Sequence, residues 1–226
     1  ACSSGGLRVD LGLAKHVNCF FMSDPDYTEH HLQVLWGATH MLPPLAILHW
    51  PWSWWRNDYG PSQLNWMNVD IETFDVMMRA AMVHRIGVSY PLPKLPERLR
   101  ERLSYHLQIF KDHIAPVLPT ATLLSLTDSP FRGNRGERNS AWQLTSNLNS
   151  VNEVHLVISL KLENSAQSAK FKPTQLEANQ RYVVVDLETH NSSTVLGKEL
   201  TGELLSEIAG NKNSWIVEIR PEKARL

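Results

Sequence analysis

Residues 18–26, Asn18-Cys19-Phe20-Phe21-Met22-Ser23-Asp24-Pro25-Asp26, set a short apolar run directly before a helix-start signal. A continuous apolar run of this length suits a fully buried strand, and Asp followed by Pro places a capping carboxylate ahead of a first helical residue with φ already fixed. Outward from there, Tyr27, His31, Val34, Leu35 and Ala38 recur at helical spacing, and a second apolar run from Pro44 to Trp50 leads into a Trp-rich loop. Phe74, Met77, Met78, Ala81 and Met82 mark one face of another helix, and Ile86-Gly87-Val88-Ser89-Tyr90 is a third short strand ended by Pro91 and Pro93. Pro96 opens a long helix with Leu99, Leu103, Leu107, Phe110 and Ile114 on one side. Strand, helix, strand, helix, strand, helix is the order of βα units, which need a parallel sheet covered on both faces.

Three such units cannot close a barrel. The chain also begins at Ala1 with no initiator Met and no apolar leader, entering at once a turn-like segment, Cys2-Ser3-Ser4-Gly5-Gly6-Leu7-Arg8. The expectation is a fragment with upstream sequence missing, so neither a targeting signal nor a compartment can be read. Asn191-Ser192-Ser193 is formally a glycosylation sequon but weak evidence of secretion.

Composition changes near residue 119. All six Met and most of the Trp and His precede it, and Ser, Asn, Thr and alternating strands follow. The boundary falls in Ala115-Pro116-Val117-Leu118-Pro119, where two prolines stop the preceding helix. Beyond it, Val154, Leu156, Ile158, Leu160 and Leu162 alternate with His155, Val157, Ser159 and Lys161, and Arg181 to Leu187 and Ser214 to Ile219 are further strands. Alternation of this kind buries one face and wets the other, the pattern of a small antiparallel sandwich. Arg132 to Arg138 reads as a polar loop with a weak phosphate-binding signal.

The 226 residues carry 22 Lys plus Arg against 23 Asp plus Glu, a net charge of −1, and neither half has an excess that would draw in nucleic acid or an anionic membrane. No apolar run approaches the roughly 18 to 20 residues a spanning helix needs. Two cysteines form one bridge at most, so this is no disulfide scaffold. No Cys-x-x-Cys, His-Glu-x-x-His, phosphate-loop or Gly-x-Ser-x-Gly pattern occurs. Adjacent residues on a helix point about 100° apart, so His30-His31 is not a chelating pair. No metal and no cofactor is expected.

What stands out is a carboxylate cluster, Asp10, Asp24 and Asp26, near an aromatic one: five of the eight Trp fall at positions 50, 52, 54, 55 and 66. Indole faces stack on the C–H face of a sugar ring, while carboxylates handle its hydroxyls or its glycosidic oxygen. The plainer alternatives stand beside this: a Trp-rich loop that plugs a core, Asp24 as an N-cap only, and Cys2 as a small buried residue.

On these residues the chain resembles the C-terminal part of glycoside hydrolase family 36, the α-galactosidase group. That family's signature runs Cys-x-Ser-Gly-Gly-Gly-Arg-x-Asp and then Trp-Thr-Ser-Asp-x-x-Asp. Cys2-Ser3-Ser4-Gly5-Gly6-Leu7-Arg8-Val9-Asp10 matches the first element except at Leu7, and Phe21-Met22-Ser23-Asp24 matches the second in spacing and in its Ser-Asp. Leu35-Trp36-Gly37-Ala38, Pro43-Pro44 and His49, and later Gly87 to Leu95, track the segments that follow, with residues 119–226 similar to the family's β domain.

The resemblance implies that residues 1–118 are the C-terminal part of a TIM (β/α)8 barrel and residues 119–226 an antiparallel β-sandwich domain. It implies a retaining double displacement on a carbohydrate substrate, an α-galactoside or a related sugar, with Asp24 as the general acid/base and an elevated pKa in the intact site. Cys2 and Gly5 fall where the family shapes the pocket around the sugar, Arg8 pairs with Asp10 to order that loop, and His49 and Trp50 line the next strand end. The family's nucleophile sits in a Lys-x-Asp motif, and no Lys-x-Asp occurs in this chain. Leu7 in place of the third Gly, Phe21-Met22 in place of Trp-Thr and Leu48 in place of a Gly leave the sugar, the linkage and the acceptor open. A non-catalytic carbohydrate-binding or structural module is the alternative reading.

Overall fold

The computed structural model describes residues 10–22, 28–50, 69–89, 91–129, 139–147, 153–161 and 170–222. Three short strands, β1 (Phe20–Phe21), β2 (Ile47–His49) and β3 (Arg85–Ile86), pair in parallel in the order β1-β2-β3. Parallel neighbours need long crossovers. Here they run through helices α2 (Thr28–Ala38) and α3 (Ile71–Ala80), with α1 (Leu11–Ala14) before the sheet and α4 (Glu97–Ile109) after it. Side-chain caps explain two of the helix starts. Asp10 accepts from Leu13 N at 2.7 Å ahead of α1, and Asp70 accepts from Thr73 N at 2.7 Å ahead of α3. The helix start expected at Asp24-Pro25 lies outside the described residues.

Helix α4 serves two packing partners. Leu99 and Leu103 join Phe74, Met77 and Met78 of α3 in one cluster, while Ile109 and Ile114 join a different one. Tyr105 and Ile109 already face that second cluster, and a single wide turn follows, Phe110–Ile114, where Ala115 N donates to Phe110 O at 2.8 Å in an i→i+5 bond. Ile109 and Ile114 are five residues apart, a spacing that falls on one face only when the turn is widened in this way. The helix then ends ahead of Pro116, as the two prolines require.

Six strands follow: β4 (Thr122–Ser125), β5 (Asn139–Asn147), β6 (Glu153–Lys161), β7 (Arg181–Asp186), β8 (Ser192–Leu196) and β9 (Ser214–Pro221). They form one antiparallel sheet in the order β4-β5-β6-β9-β7-β8, and helix α5 (Gly202–Ile208) is capped by Thr201 Oγ1 accepting from Leu204 N. The described residues thus give a single sheet with a helix where two facing sheets were expected.

Nor does this sheet have a wet face at its centre, because β6 is buried from Val154 through Ser159 to Leu160. Leu156, Ile158 and Leu160, with Trp142, Leu144 and Ile216, enter a core shared with Phe20, Leu32, Leu35, Ile47 and Met82 of the helical half. Val157, with Val217, Tyr182, Val184 and Trp215, packs on the other side with Phe171 and Leu205 of α5. Polar residues that read as solvent-facing are satisfied internally instead. His155 Nε2 meets Glu153 Oε1 at 2.6 Å and His155 Nδ1 meets Thr145 Oγ1 at 3.0 Å. The Gln143 amide exchanges hydrogen bonds with the backbone of Thr174 at 2.8 and 2.9 Å. Buried polar groups with partners cost little.

Ionic contacts join the helices to this sheet. Arg79 of α3, with 2% of its surface exposed, donates to Ser214 O (2.6 Å) and Ser214 Oγ (2.7 Å) on β9 and to Glu188 (2.7 Å) in the turn after β7. Arg102 of α4 donates to both oxygens of Asp75 and to the other oxygen of Glu188, and His106 contacts Asp75 at 2.8 Å. Lys212 adds a bond of 2.9 Å to Glu188. Burial by itself would raise the Asp75 carboxyl, but hydrogen bonds from His106 and Arg102 and the charge of Arg79 hold it at about 2. Burial likewise opposes ionisation of Glu188, yet the Lys212 bond, the charge of Arg79 and Arg102 hold it at about 2.

Both carboxyls ionise below their ordinary values of 3.8 and 4.5. Their stabilisation is therefore complete above about pH 5 and is lost as pH falls toward about 2. Glu188→Gln leaves buried Arg79 short of its counter-charge, so it should lower stability at pH 7 by about 3 kcal/mol and make the loss between pH 5 and pH 2 shallower. Urea denaturation at pH 7 and at pH 3 measures both effects.

Candidate functional site

The carboxyl ends of the three parallel strands meet in a small aromatic surface. Parallel pairing continues past the strands themselves: Met22 N donates to Leu48 O at 3.3 Å and Gly87 N donates to His49 O at 2.9 Å. Side chains alternate across this sheet. Phe20, Met22, Ile47 and His49 are buried, whereas Phe21, Leu48 and Trp50 are only half-buried. Phe21 and Trp50 therefore reach the same side, where their rings stack with centroids 4.4 Å apart and planes 26° apart. Gly87, opposite Trp50, makes room for the indole, since a Cβ there would stand 2.9 Å from Trp50 Cε3. In open parallel sheets and barrels alike, the carboxyl ends of the strands are where ligands bind. Asp24 follows Met22 by two positions in the sequence.

His49 lies on the opposite side from Trp50. Its ring is fully buried and stacks on His31 of α2 at 4.3 Å and 21°, with an edge-on contact to Phe21 at 6.4 Å. His84, just before β3, completes the group: its Nε2 lies 3.4 Å from His31 Nε2, and its Nδ1 lies 2.8 Å from Arg85 O. His31 Nε2 meets Ala80 O at 3.0 Å, while His31 Nδ1 has no hydrogen-bond partner among the described residues. Burial pushes the His84 imidazole down to about 4. Burial, and then the neighbouring His49 and His84, hold His31 well below the ordinary value. The His31 and His84 rings are thus neutral at physiological pH.

Of the residues read as a site from the sequence, the structure brings Trp50 to the aromatic surface and sets His49 behind it, within the core. Cys2, Gly5, Arg8 and Asp24 lie outside the described residues. So does the loop of Arg132 to Arg138. Sequence reading did not find His84, nor the meeting of His31 with His49, because the three imidazoles come from separate elements and share no local spacing.

No protein-family model matches the chain, and no curated protein sequence does. Its fold is nevertheless shared with solved structures. The galactosidase domain of the α-galactosidase–sucrose kinase AgaSK superposes with a TM-score of 0.66 at 13% identity, covering 94% of this chain and 27% of that one. The GH36 α-galactosidase AgaA from Geobacillus stearothermophilus gives 0.63 at 17% identity, covering 98% and 28%. The α-galactosidase from Lactobacillus brevis gives 0.66 at 16% identity, covering 100% and 29%. The chain therefore has the fold of one part of these proteins and spans less than a third of the length of each.

The close approach at Gly87 makes a specific expectation. Gly87→Ala forces the Trp50 indole off its place on Phe21, which should cost about 1 to 3 kcal/mol and weaken the near-ultraviolet circular dichroism of the stacked pair. Gly37 of α2 has open space around its Cβ position. Gly37→Ala is the matched control and should be neutral or stabilising by about 0.5 to 1 kcal/mol.

Proposed function

We propose that this chain is the C-terminal part of a retaining α-glycosidase acting on terminal α-galactosides or closely related sugars. On this reading, residues 1–118 complete a (β/α)8 barrel and residues 119–226 are its C-terminal β domain. The observation that carries the proposal is the aromatic surface of Phe21 and Trp50 at the carboxyl ends of parallel strands, with Ser23-Asp24 following next in the chain. The shared fold with the three α-galactosidase structures supports it independently.

The chemistry then runs in two displacements. A carboxylate supplied by preceding sequence attacks the anomeric carbon while Asp24 gives its proton to the departing glycosidic oxygen. Asp24, now ionised, takes a proton from water, and the resulting hydroxide breaks the glycosyl–enzyme bond and regenerates both groups. Retention requires the two carboxyls roughly 5 to 5.5 Å apart, a separation at which the nucleophile's charge raises the Asp24 pKa and keeps it protonated at neutral pH. Cys2, Gly5 and Arg8 shape the wall of the sugar pocket, and Gly5 lets backbone N–H groups approach the ring closely. Trp50 offers its indole to the C–H face of the sugar. His49 contributes through its backbone, whose carbonyl ties the Trp50 strand end to Gly87.

Two outcomes test this. In the full-length polypeptide, Asp24→Asn should slow hydrolysis of substrates with poor leaving groups by about 10²- to 10⁴-fold, and aryl substrates with good leaving groups much less. Equal loss on both classes, measured as kcat/KM, would count against the acid role. The 226-residue chain by itself has no Lys-x-Asp nucleophile. It should therefore bind galactosides without hydrolysing an aryl α-galactoside, and turnover by the isolated chain would overturn the assignment.

A further inference from the structure

We propose that His31, His49 and His84 form a binding site for a divalent transition-metal ion of the zinc class, on the helix side of the parallel sheet behind Trp50. All three side chains are wholly buried, and one ligating nitrogen from each lies within 4.8 Å of the other two. They come from three different parts of the fold, α2, β2 and the residue before β3, so the elements themselves set the spacing. The 3.4 Å between His31 Nε2 and His84 Nε2 is close to the edge of a zinc tetrahedron, about 3.3 Å for Zn–N bonds of about 2.0 to 2.1 Å.

The surroundings prepare the rings for this use. His84 Nδ1–H donates to Arg85 O at 2.8 Å, which fixes the tautomer and leaves the Nε2 lone pair facing His31. A backbone carbonyl on the far nitrogen is the usual support of a metal-ligating histidine. Three imidazoles suit zinc, cobalt, nickel or copper and suit magnesium or calcium poorly.

Binding rearranges the group only locally. His49, now stacked on His31, turns about its side-chain bonds to bring a nitrogen within ligating distance. His31 ligates through Nε2, giving up its hydrogen bond to Ala80 O, and the proton moves from that atom to Nδ1, so the imidazole stays neutral and no proton is released. Water takes the fourth position, as in other three-histidine sites. This inference does not depend on the glycosidase reading, and it departs from the expectation of no metal drawn from local sequence spacing.

The test uses the polypeptide that carries this chain, purified through a chelator and titrated with Co²⁺ and then Zn²⁺. One equivalent of Co²⁺ should develop the visible absorption of a tetrahedral site, and Zn²⁺ should bleach it. In ¹⁵N-histidine spectra, one equivalent of Zn²⁺ should shift the ring nitrogens of three buried histidines. His31→Phe keeps the volume and the stacking on His49 but removes a ligand, so it should abolish the cobalt band and weaken zinc binding at least about tenfold. The proposal is overturned if the folded wild-type protein shows neither the absorption nor the shifts, or if His31→Phe binds with unchanged affinity. Should the phenylalanine variant fail to fold, the wild-type histidine spectra decide alone.

Discussion

An antiparallel sheet with two apolar faces cannot stand in water, and the whole molecule is arranged around that constraint. Val157, Val217 and Tyr182 are covered by α5 and Phe171, whereas among the described residues Leu156, Ile158 and Trp142 share their cluster with the helical half. They are buried against Phe20, Leu32, Ile47 and Met82, so the parallel sheet with its helices acts as the second layer of the β half. The change of composition near residue 119 marks a change of architecture, not a gap in packing. Arg79 reaches across the same junction to Ser214 and Glu188, and it fixes how α3 sits on β9. The ion pairs add orientation to a contact that apolar burial already favours.

Much of this was legible from periodicity. The α4 stripe of Leu99 and Leu103 and the α3 face of Phe74, Met77 and Met78 follow the helical repeat and are buried as such. The βα order forces parallel pairing, which is what β1, β2 and β3 show. The strands are shorter than their apolar runs: β1 keeps two residues of 18–22 and β3 two of the region around Ile86, because only residues with a partner on β2 join the ladder. Alternation in β6 misled for a definite reason. His155 and Ser159 look solvent-facing in a sequence, yet hydrogen bonds to Glu153 and Thr145 let His155 lie fully buried, and no local pattern distinguishes a satisfied buried histidine from a wet one.

The same limit applies to the two groups near the strand ends. Trp50 could be chosen from the sequence because a cluster of indoles is rare and its chemistry is specific, and its neighbour on the sheet is Gly87, the residue that leaves it space. His49 was chosen with it, but one step along a strand reverses the direction of the side chain, so the two residues face opposite layers. His31 and His84 lie 18 and 35 positions from His49 in the sequence. Only the packing of α2 and β3 onto β2 brings them together, and adjacency to His30 gave no hint of it.

The wide turn at Phe110–Ile114 has a consequence for how this chain tolerates change. It holds one extra residue and so keeps Ile114 in line with Ile109 on a core that Leu103, on the other face, does not join. Losing a single residue from 110–113 would restore regular winding and leave Ile109 and the present Ile114 four apart, still on one face. Val117, Leu118 and the start of β4 would then keep the faces they have. A one-residue loss is therefore absorbed at that point, whereas the same loss in the regular turns of α4 would swing everything beyond it by about 100°.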